Sequence, residues 1–472
     1  MRKNILISKI YYIWILVCLF SCQSEESSGS PVEPACSITV DGQSGFQIEI
    51  DNKASALKVF ISANTDWKLE SDSEWCRVSN LSGKPTDGNT PKDVTISIEK
   101  NITDKLRTAH IRLVAGTADA KLDISQTGYI PVDESKWETA SSAVHKMKIG
   151  WNLGNSLDTH GDWIVEYSPG KPSDFEVGWG NPVTTPEMIQ KFKEAGFNAI
   201  RVPVTWYQHL DKDNVINEEW MQRVEEVVNY VLNTGMYCVL NVHHDTGAGG
   251  WLAADLNTYP AISARYKKLW EQIATRFQAY DQRLVFESYN EMLDKQDHWT
   301  ETNPDGYKAQ NALLQDFVDV VRKTGGNNLY RNLSINTYSA AHTALTLNNF
   351  TVPTDVVKDR LLAQVHVYDP YFFSLDKDSP IAEFTSQDAQ GIANVMSRLN
   401  DRFCSKGIPV IIGEFGSVDK NNMPERAKHA ACIVKEAARY GIVCFQWMGL
   451  LDRKTLQWNE PEILEAILQS VK

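Results

Sequence analysis

Positive charge is scarce in this chain. Its 472 residues carry 60 Asp and Glu against 47 Lys and Arg, a formal net charge of −13. That balance argues against nucleic acid and anionic lipid surfaces as partners and suits a neutral polymer. Long hydrophobic runs are wanting as well, and the N-terminal apolar run at residues 10–20 is too short to span a bilayer. None of the 8 cysteines stands in Cys-x-x-Cys spacing. A disulfide is permitted in an exported protein but not indicated by spacing, and Cys238 and Cys444, set in apolar runs, read as buried thiols. His-Glu-x-x-His is missing too, so His243-His244-Asp245 has no partner motif for a metal. No metal and no cofactor are expected.

What the chain does have begins at its N-terminus. Arg2, Lys3 and Lys9 lead into the apolar run, and Ser21-Cys22 closes it. This is the layout of a signal peptide. The closing pair resembles a bacterial lipobox, which implies cleavage before Cys22 and lipidation of its sulfur. An ordinary signal peptide is the alternative. Gln23-Ser24-Glu25-Glu26 resembles the acidic export signal of surface lipoproteins in Gram-negative bacteria, which places the protein at the outer membrane, facing outward. The expected division is signal peptide 1–21, flexible tether 22–35, β-sandwich 36–128, linker 129–137 with Pro131, and catalytic domain 138–472.

Between residues 36 and 128 short strands alternate with turn residues such as Asp87-Gly88 and Ala115-Gly116; strands are expected at 57–62, 94–98, 108–114 and 120–126. Trp67, Ser73-Glu74-Trp75-Cys76, Asn101, Arg107 and Ser125-Gln126-Thr127-Gly128 resemble the BACON domain family. The resemblance implies an immunoglobulin-like sandwich ahead of a glycan-degrading module. Carbohydrate binding is its suggested role and a spacer the plainer one; the spacer is preferred, with Trp67 and Trp75 in the core.

Beyond the linker the pattern changes. Thr184-Thr185-Pro186-Glu187 opens a helix with a capping Thr and an early Pro, and Trp220, Met221, Val224, Val227, Val228, Val231 and Leu232 recur at helical spacing. Four junctions, at Gly196, Gly235, Gly407 and Gly441, pass from a helix through a glycine cap directly into an apolar strand. Eight such runs, at 148–153, 199–202, 238–242, 284–288, 332–335, 362–365, 410–413 and 443–446, are apolar on both faces, as parallel strands buried by helices must be. A (β/α)8 barrel follows as the fold class. A doubly wound sheet is the alternative, but no Gly-x-Gly-x-x-Gly follows the first run.

A barrel brings all strand ends to one face, and each run here ends on a polar or aromatic group. These are Asn152 and Asn155, Arg201, His243-His244-Asp245, Asn290-Glu291, Asn336, His366 and Tyr368, Glu414, and Trp447. Gly150-Trp151-Asn152-Leu153-Gly154-Asn155, Trp179-Gly180-Asn181-Pro182, Arg201-Val202-Pro203, Val242-His243-His244-Asp245, Tyr289-Asn290-Glu291, His366-Val367-Tyr368 and Ile412-Gly413-Glu414-Phe415-Gly416 resemble glycoside hydrolase family 5, subfamily 4, of endo-β-glucanases and xyloglucanases. The resemblance implies a retaining enzyme with Glu291 as acid/base and Glu414 as nucleophile, their carboxyl groups ~5–5.5 Å apart. It implies substrate contacts from Asn155, Arg201, His243, His244, Asn290, His366, Tyr368 and Trp447. Trp163, Trp179 and Trp251 are sugar platforms or loop core. Met292 replaces the proline usual after the Asn-Glu pair, and Trp447 leads into Met448-Gly449-Leu450-Leu451 rather than Asn-Gly, which leaves subsite preference open. The expected substrate is β-1,4-linked cell-wall polysaccharide, β-glucan or xyloglucan first, mannan or xylan second. The rivals are a glycan-binding surface lipoprotein without catalysis and a metal-dependent hydrolase. A tethered monomer is expected.

Overall fold

A computed structural model describes residues 33–471, except 41–42, 45–46, 51, 53, 87–89, 102, 104, 129–132, 168–169 and 448. The signal segment, Cys22, Pro131 and the turn expected at Asp87-Gly88 lie outside the described residues. The chain divides into two compact units, Met1–Pro131 and Val132–Lys472. Among the described residues no helix is long and apolar enough to cross a membrane.

In the first unit the two-residue period of the sequence becomes burial. Lys92–Ile98 turns Val94, Ile96 and Ile98 inward, and Arg107–Ala115 does so with Ala109, Ile111, Leu113 and Ala115. Ser55–Ala63 and Ala118–Gln126 complete the four expected strands. One sheet runs Gln43–Ser44, Cys36–Val40, Ser55–Ala63, Lys92–Ile98, Cys76–Val78; the other runs Gln47–Ile50, Ala118–Gln126, Arg107–Ala115, Trp67–Ser71, Ser82–Gly83. Side chains from both meet in one apolar core, so the unit is a β-sandwich. Trp67 is buried there with its indole N–H on the Lys84 carbonyl at 3.0 Å, and half-buried Trp75 lies under the Arg107 guanidinium, 4.1 Å from its ring centre. Both indoles are committed to packing.

The second unit is a closed barrel of eight parallel strands. They are β1 (Gly150–Asn152), β2 (Ala199–Val202), β3 (Tyr237–Leu240), β4 (Leu284–Glu287), β5 (Leu333–Asn336), β6 (Leu361–Val367), β7 (Val410–Phe415) and β8 (Val443–Trp447). Pairing of Gly150 with Ala199 on one side and Phe445 on the other closes the ring. All four glycine junctions have positive φ, from 69° at Gly441 to 111° at Gly196, the left-handed turn that lets strand follow helix without a loop. Helix Glu218–Asn233 buries the seven apolar side chains named from its spacing and is capped by Asn217, whose side chain accepts the Trp220 N–H at 3.0 Å. Thr185 does stand at the cap of Pro186–Ala195, but its side chain makes no capping bond; the fixed φ of Pro186 starts that helix. Helix Ala140–Met147 lies before β1 and packs Ala140, Ala143, Val144 and Met147 on inward-facing Ala199, Tyr237, Val239, Val285, Leu362, Ile411, Val443 and Phe445. It seals the end of the barrel where the strands begin, leaving the other end for chemistry.

Candidate active site

At the C-terminal strand ends the organising group is the Arg201 guanidinium of β2, which is wholly buried. Each of its five N–H groups has an acceptor. Nε and Nη2 hold the two oxygens of Glu287 at 2.7 and 2.8 Å; Nη2 also reaches Asn290 Oδ1 at 2.9 Å. Nη1 reaches Asn152 Oδ1 at 2.9 Å and Glu414 Oε1 at 2.7 Å. The planar fork therefore fixes side chains from β1, β4 and β7 in one geometry.

Glu414 also accepts from the Tyr368 hydroxyl at 2.9 Å. His366 Nδ1 stands 2.7 Å from Glu291 Oε1 and 3.5 Å from Glu414 Oε2, so it bridges the two carboxyl groups. One oxygen of each glutamate and one ring nitrogen of His366 all lie within 4.8 Å of one another. Local structure explains the alignment. The β6–β7 register shifts at Val365/His366, so that His366 pairs with Glu414. Gly413 permits it, since a Cβ there would sit 2.4 Å from the Gln364 amide nitrogen. On the other wall the Ser288 carbonyl takes both the Tyr266 hydroxyl and the Trp270 indole N–H, at 2.7 and 3.1 Å, pinning the turn that delivers Asn290 and Glu291.

Burial and charge compete here. Burial raises the Glu414 carboxyl, with Glu291 adding to the rise, while His366 and Arg201 pull against it. For Glu287 burial is outweighed by Arg201 and Asn241, which hold its carboxyl below the usual range. Burial and the Glu414 and Glu291 charges push the Tyr368 phenol well up, keeping it a hydrogen-bond donor. His243 and His244 are neutral: burial drives His243 well below the ordinary value and His244 down to about 4. Asp158 and Asp245, also buried, are raised to about 6.

Most residues named from the sequence converge. Trp447 is half-buried and parallel to His243, ring centres 5.7 Å apart. The His243 and His244 rings come within 4.5 Å because β3 has already ended at Leu240 and the chain turns, escaping the opposed directions of adjacent strand residues. Asn155 lies in the loop after β1 at φ 55°; its backbone N–H is on Asp158 and its carbonyl takes the Asn181 amide, and it is not part of the Arg201 network. Trp251 is fixed by its N–H on Asp245 at 2.6 Å and by Arg265 over its ring at 4.1 Å. Trp179 stands edge-on to His160 and His244, while Trp163 is 46% exposed. Beside Glu291 a cavity of ≈ 420 Å³ is lined by His160, Tyr207, His244, Trp251, Arg265 and Trp299. Of these, His160, Tyr207, Arg265 and the exposed Trp299 escaped the sequence reading, since loops carry no period to place them. Glu287 and Asn241 escaped too, although a glutamate inside an apolar strand was a legible sign. Donor atoms of Asp158, His243 and His244 also approach within 4.8 Å, but the Asp158 oxygens already accept the N–H groups of Asn155 and Ser156.

A barrel that presents two glutamates this closely, joined by a histidine and backed by an arginine, is the scaffold of an enzyme that hydrolyses glycosidic bonds. Residues 157–449 match the family described as Cellulase (glycosyl hydrolase family 5), and residues 55–127 match the BACON domain. The chain belongs to glycosyl hydrolase family 5. It is 38% identical over 384 residues to Endoglucanase A of Clostridium longisporum, covering 78% of this chain and 72% of that protein. Among solved structures, a family 5 enzyme from Prevotella bryantii B14 in complex with a xyloglucan tetradecasaccharide is 40% identical over 71% of this chain and 99% of its own, with a TM-score of 0.66. A Bacteroides ovatus family 5 xyloglucanase bound to a heptasaccharide is 27% identical and covers 93% of this chain and 100% of its own, at a TM-score of 0.65.

Proposed function

We propose that the protein is a retaining endo-β-1,4-glucanase acting on β-glucan or xyloglucan by double displacement. The observation that supports the mechanism is that an oxygen of Glu291 and an oxygen of Glu414 lie within 4.8 Å of each other and of His366 Nδ1, which leaves little room for the water that inversion places between carboxyl groups roughly 6.5–9.5 Å apart. A Glu414 oxygen attacks the anomeric carbon as Glu291 passes its proton to the departing oxygen, and the C–O bond breaks. Glu291, now a base, takes a proton from water, whose oxygen displaces Glu414 and restores both groups. Asn290, its carbonyl oxygen held by Arg201, has its amide N–H groups to offer the sugar 2-hydroxyl. Trp447 supplies an apolar face for the ring.

The glucan and xyloglucan preference rests on the relatives, two of whose structures hold xyloglucan oligosaccharides or fragments. Reducing-end release from purified polysaccharides tests it. Xyloglucan or mixed-linkage glucan should exceed mannan and xylan at least ~10-fold, with early products many sugars long. A faster rate on mannan or xylan refutes the substrate, and monomeric early products refute endo action. The N-terminal reading adds a lipid on Cys22 and display on the outer membrane. Cys22→Ala should then move the protein from the membrane fraction to the soluble one, and unchanged membrane retention refutes the anchor.

A further inference from the structure

We propose that Glu287 is a positioning residue that sets the working pH of the site by sharing the charge of Arg201 with Glu414. This rests on Glu414 being the nucleophile. Glu287 ends β4 and is completely buried, with both carboxyl oxygens already engaged inside the protein, so it is not placed to touch a sugar. It nevertheless takes two of the five Arg201 N–H groups at 2.7 and 2.8 Å, and Asn241 and Asn336 donate to the same Oε1 at 3.1 and 3.2 Å. Four hydrogen bonds to a buried carboxylate hold it ionised.

Arg201 is thus one fixed cation between two carboxylates; the other titratable groups that face Glu414 are His366 at 3.5 Å, Tyr368 at 2.9 Å and Glu291, all of them unchanged by a substitution at Glu287. If Arg201 faced Glu414 alone, the full guanidinium charge at 2.7 Å would favour the Glu414 anion strongly and make it a poor nucleophile. Glu287 takes up much of that charge and leaves Glu414 reactive. It also fixes the plane of the fork, hence the direction of the bonds to Asn290 and Glu414.

The test compares Glu287→Gln with Glu287→Asp on xyloglucan and on a dinitrophenyl β-cellobioside, whose leaving group needs no acid. Glu287→Gln removes the negative charge. The acid limb of kcat/KM, which reports the nucleophile in the free enzyme, should move down by ~1 pH unit or more, with kcat ~10-fold lower or worse. Glu287→Asp keeps the charge one methylene further away, so its kcat should fall while the limb stays within ~0.3 of wild type. A lower rate with an unmoved limb in Glu287→Gln makes the residue merely structural and overturns the proposal. So does a displacement of the limb in Glu287→Asp, which decides the matter even if the Gln variant does not fold. Glu414→Ala is run alongside: inactivity upholds the nucleophile assignment, whereas retained activity overturns that assignment and this inference with it.

Discussion

Glu414→Ala is expected to lower kcat by ~10⁴-fold or more, equivalent to about 5.5 kcal/mol of lost transition-state stabilisation, because no covalent intermediate can form without the carboxylate. Azide should restore part of the turnover. The truncated side chain vacates a small space beside Arg201 Nη1, a cationic position suited to a small anion. Attack from there is one displacement, so the product should be the α-glycosyl azide. Glu291→Ala should behave differently. On an activated aryl glycoside its glycosyl-enzyme still forms, and azide then replaces water in the second step, giving the β-glycosyl azide. The two products, separated by NMR, assign the two roles independently of any rate. A β-azide from the Glu414 variant, or rescue of neither, would sink the double-displacement mechanism.

Arg201→Met should be the most damaging change outside the two glutamates. It leaves the Glu287 carboxylate wholly buried and that of Glu414 nearly so, both without their cation, and breaking a buried pair in this way costs ~3–5 kcal/mol. Urea unfolding should show that loss as a lower midpoint, with kcat down at least ~10³-fold. The pH dependence has a definite sign. In the wild type the Glu287 carboxyl is held low, so its pairing stabilises the fold above the ordinary carboxylate pKa and is lost as pH falls. In Arg201→Met the opposing burial is uncompensated, so Glu287 ionises only at a cost. The gap between wild type and variant should therefore be wide at pH 7 and narrow towards pH 4. An equal gap at both would mean that the damage is steric rather than electrostatic.

Why so much of this was legible in the sequence can be seen at particular residues. Parallel barrel strands are buried on both faces, so runs such as Val410-Ile411-Ile412 stand out without any need for a period, and a glycine such as Gly407 marks the entry to four of the eight. Strand ends face one way in a closed barrel, so Glu291 and Glu414 could be brought together from positions far apart in the chain. What stayed hidden depends on register and turns. Nothing local announces that β6 and β7 slip by one residue at His366, or that the chain bends after Leu240 and swings His243 and His244 into contact. The side chain of Thr185 does not cap the helix; it bonds the Glu187 carboxylate instead. Glu287 was in view within Phe286-Glu287-Ser288, but its importance depends on the guanidinium opposite, and that partner is supplied by another strand.

The saturation of Arg201 bears on how variants should be interpreted. With every N–H already engaged inside the protein, the guanidinium has no hand free for an arriving sugar. It serves as a keel, so substitutions beneath the cleft should show themselves in turnover while leaving KM almost unaltered.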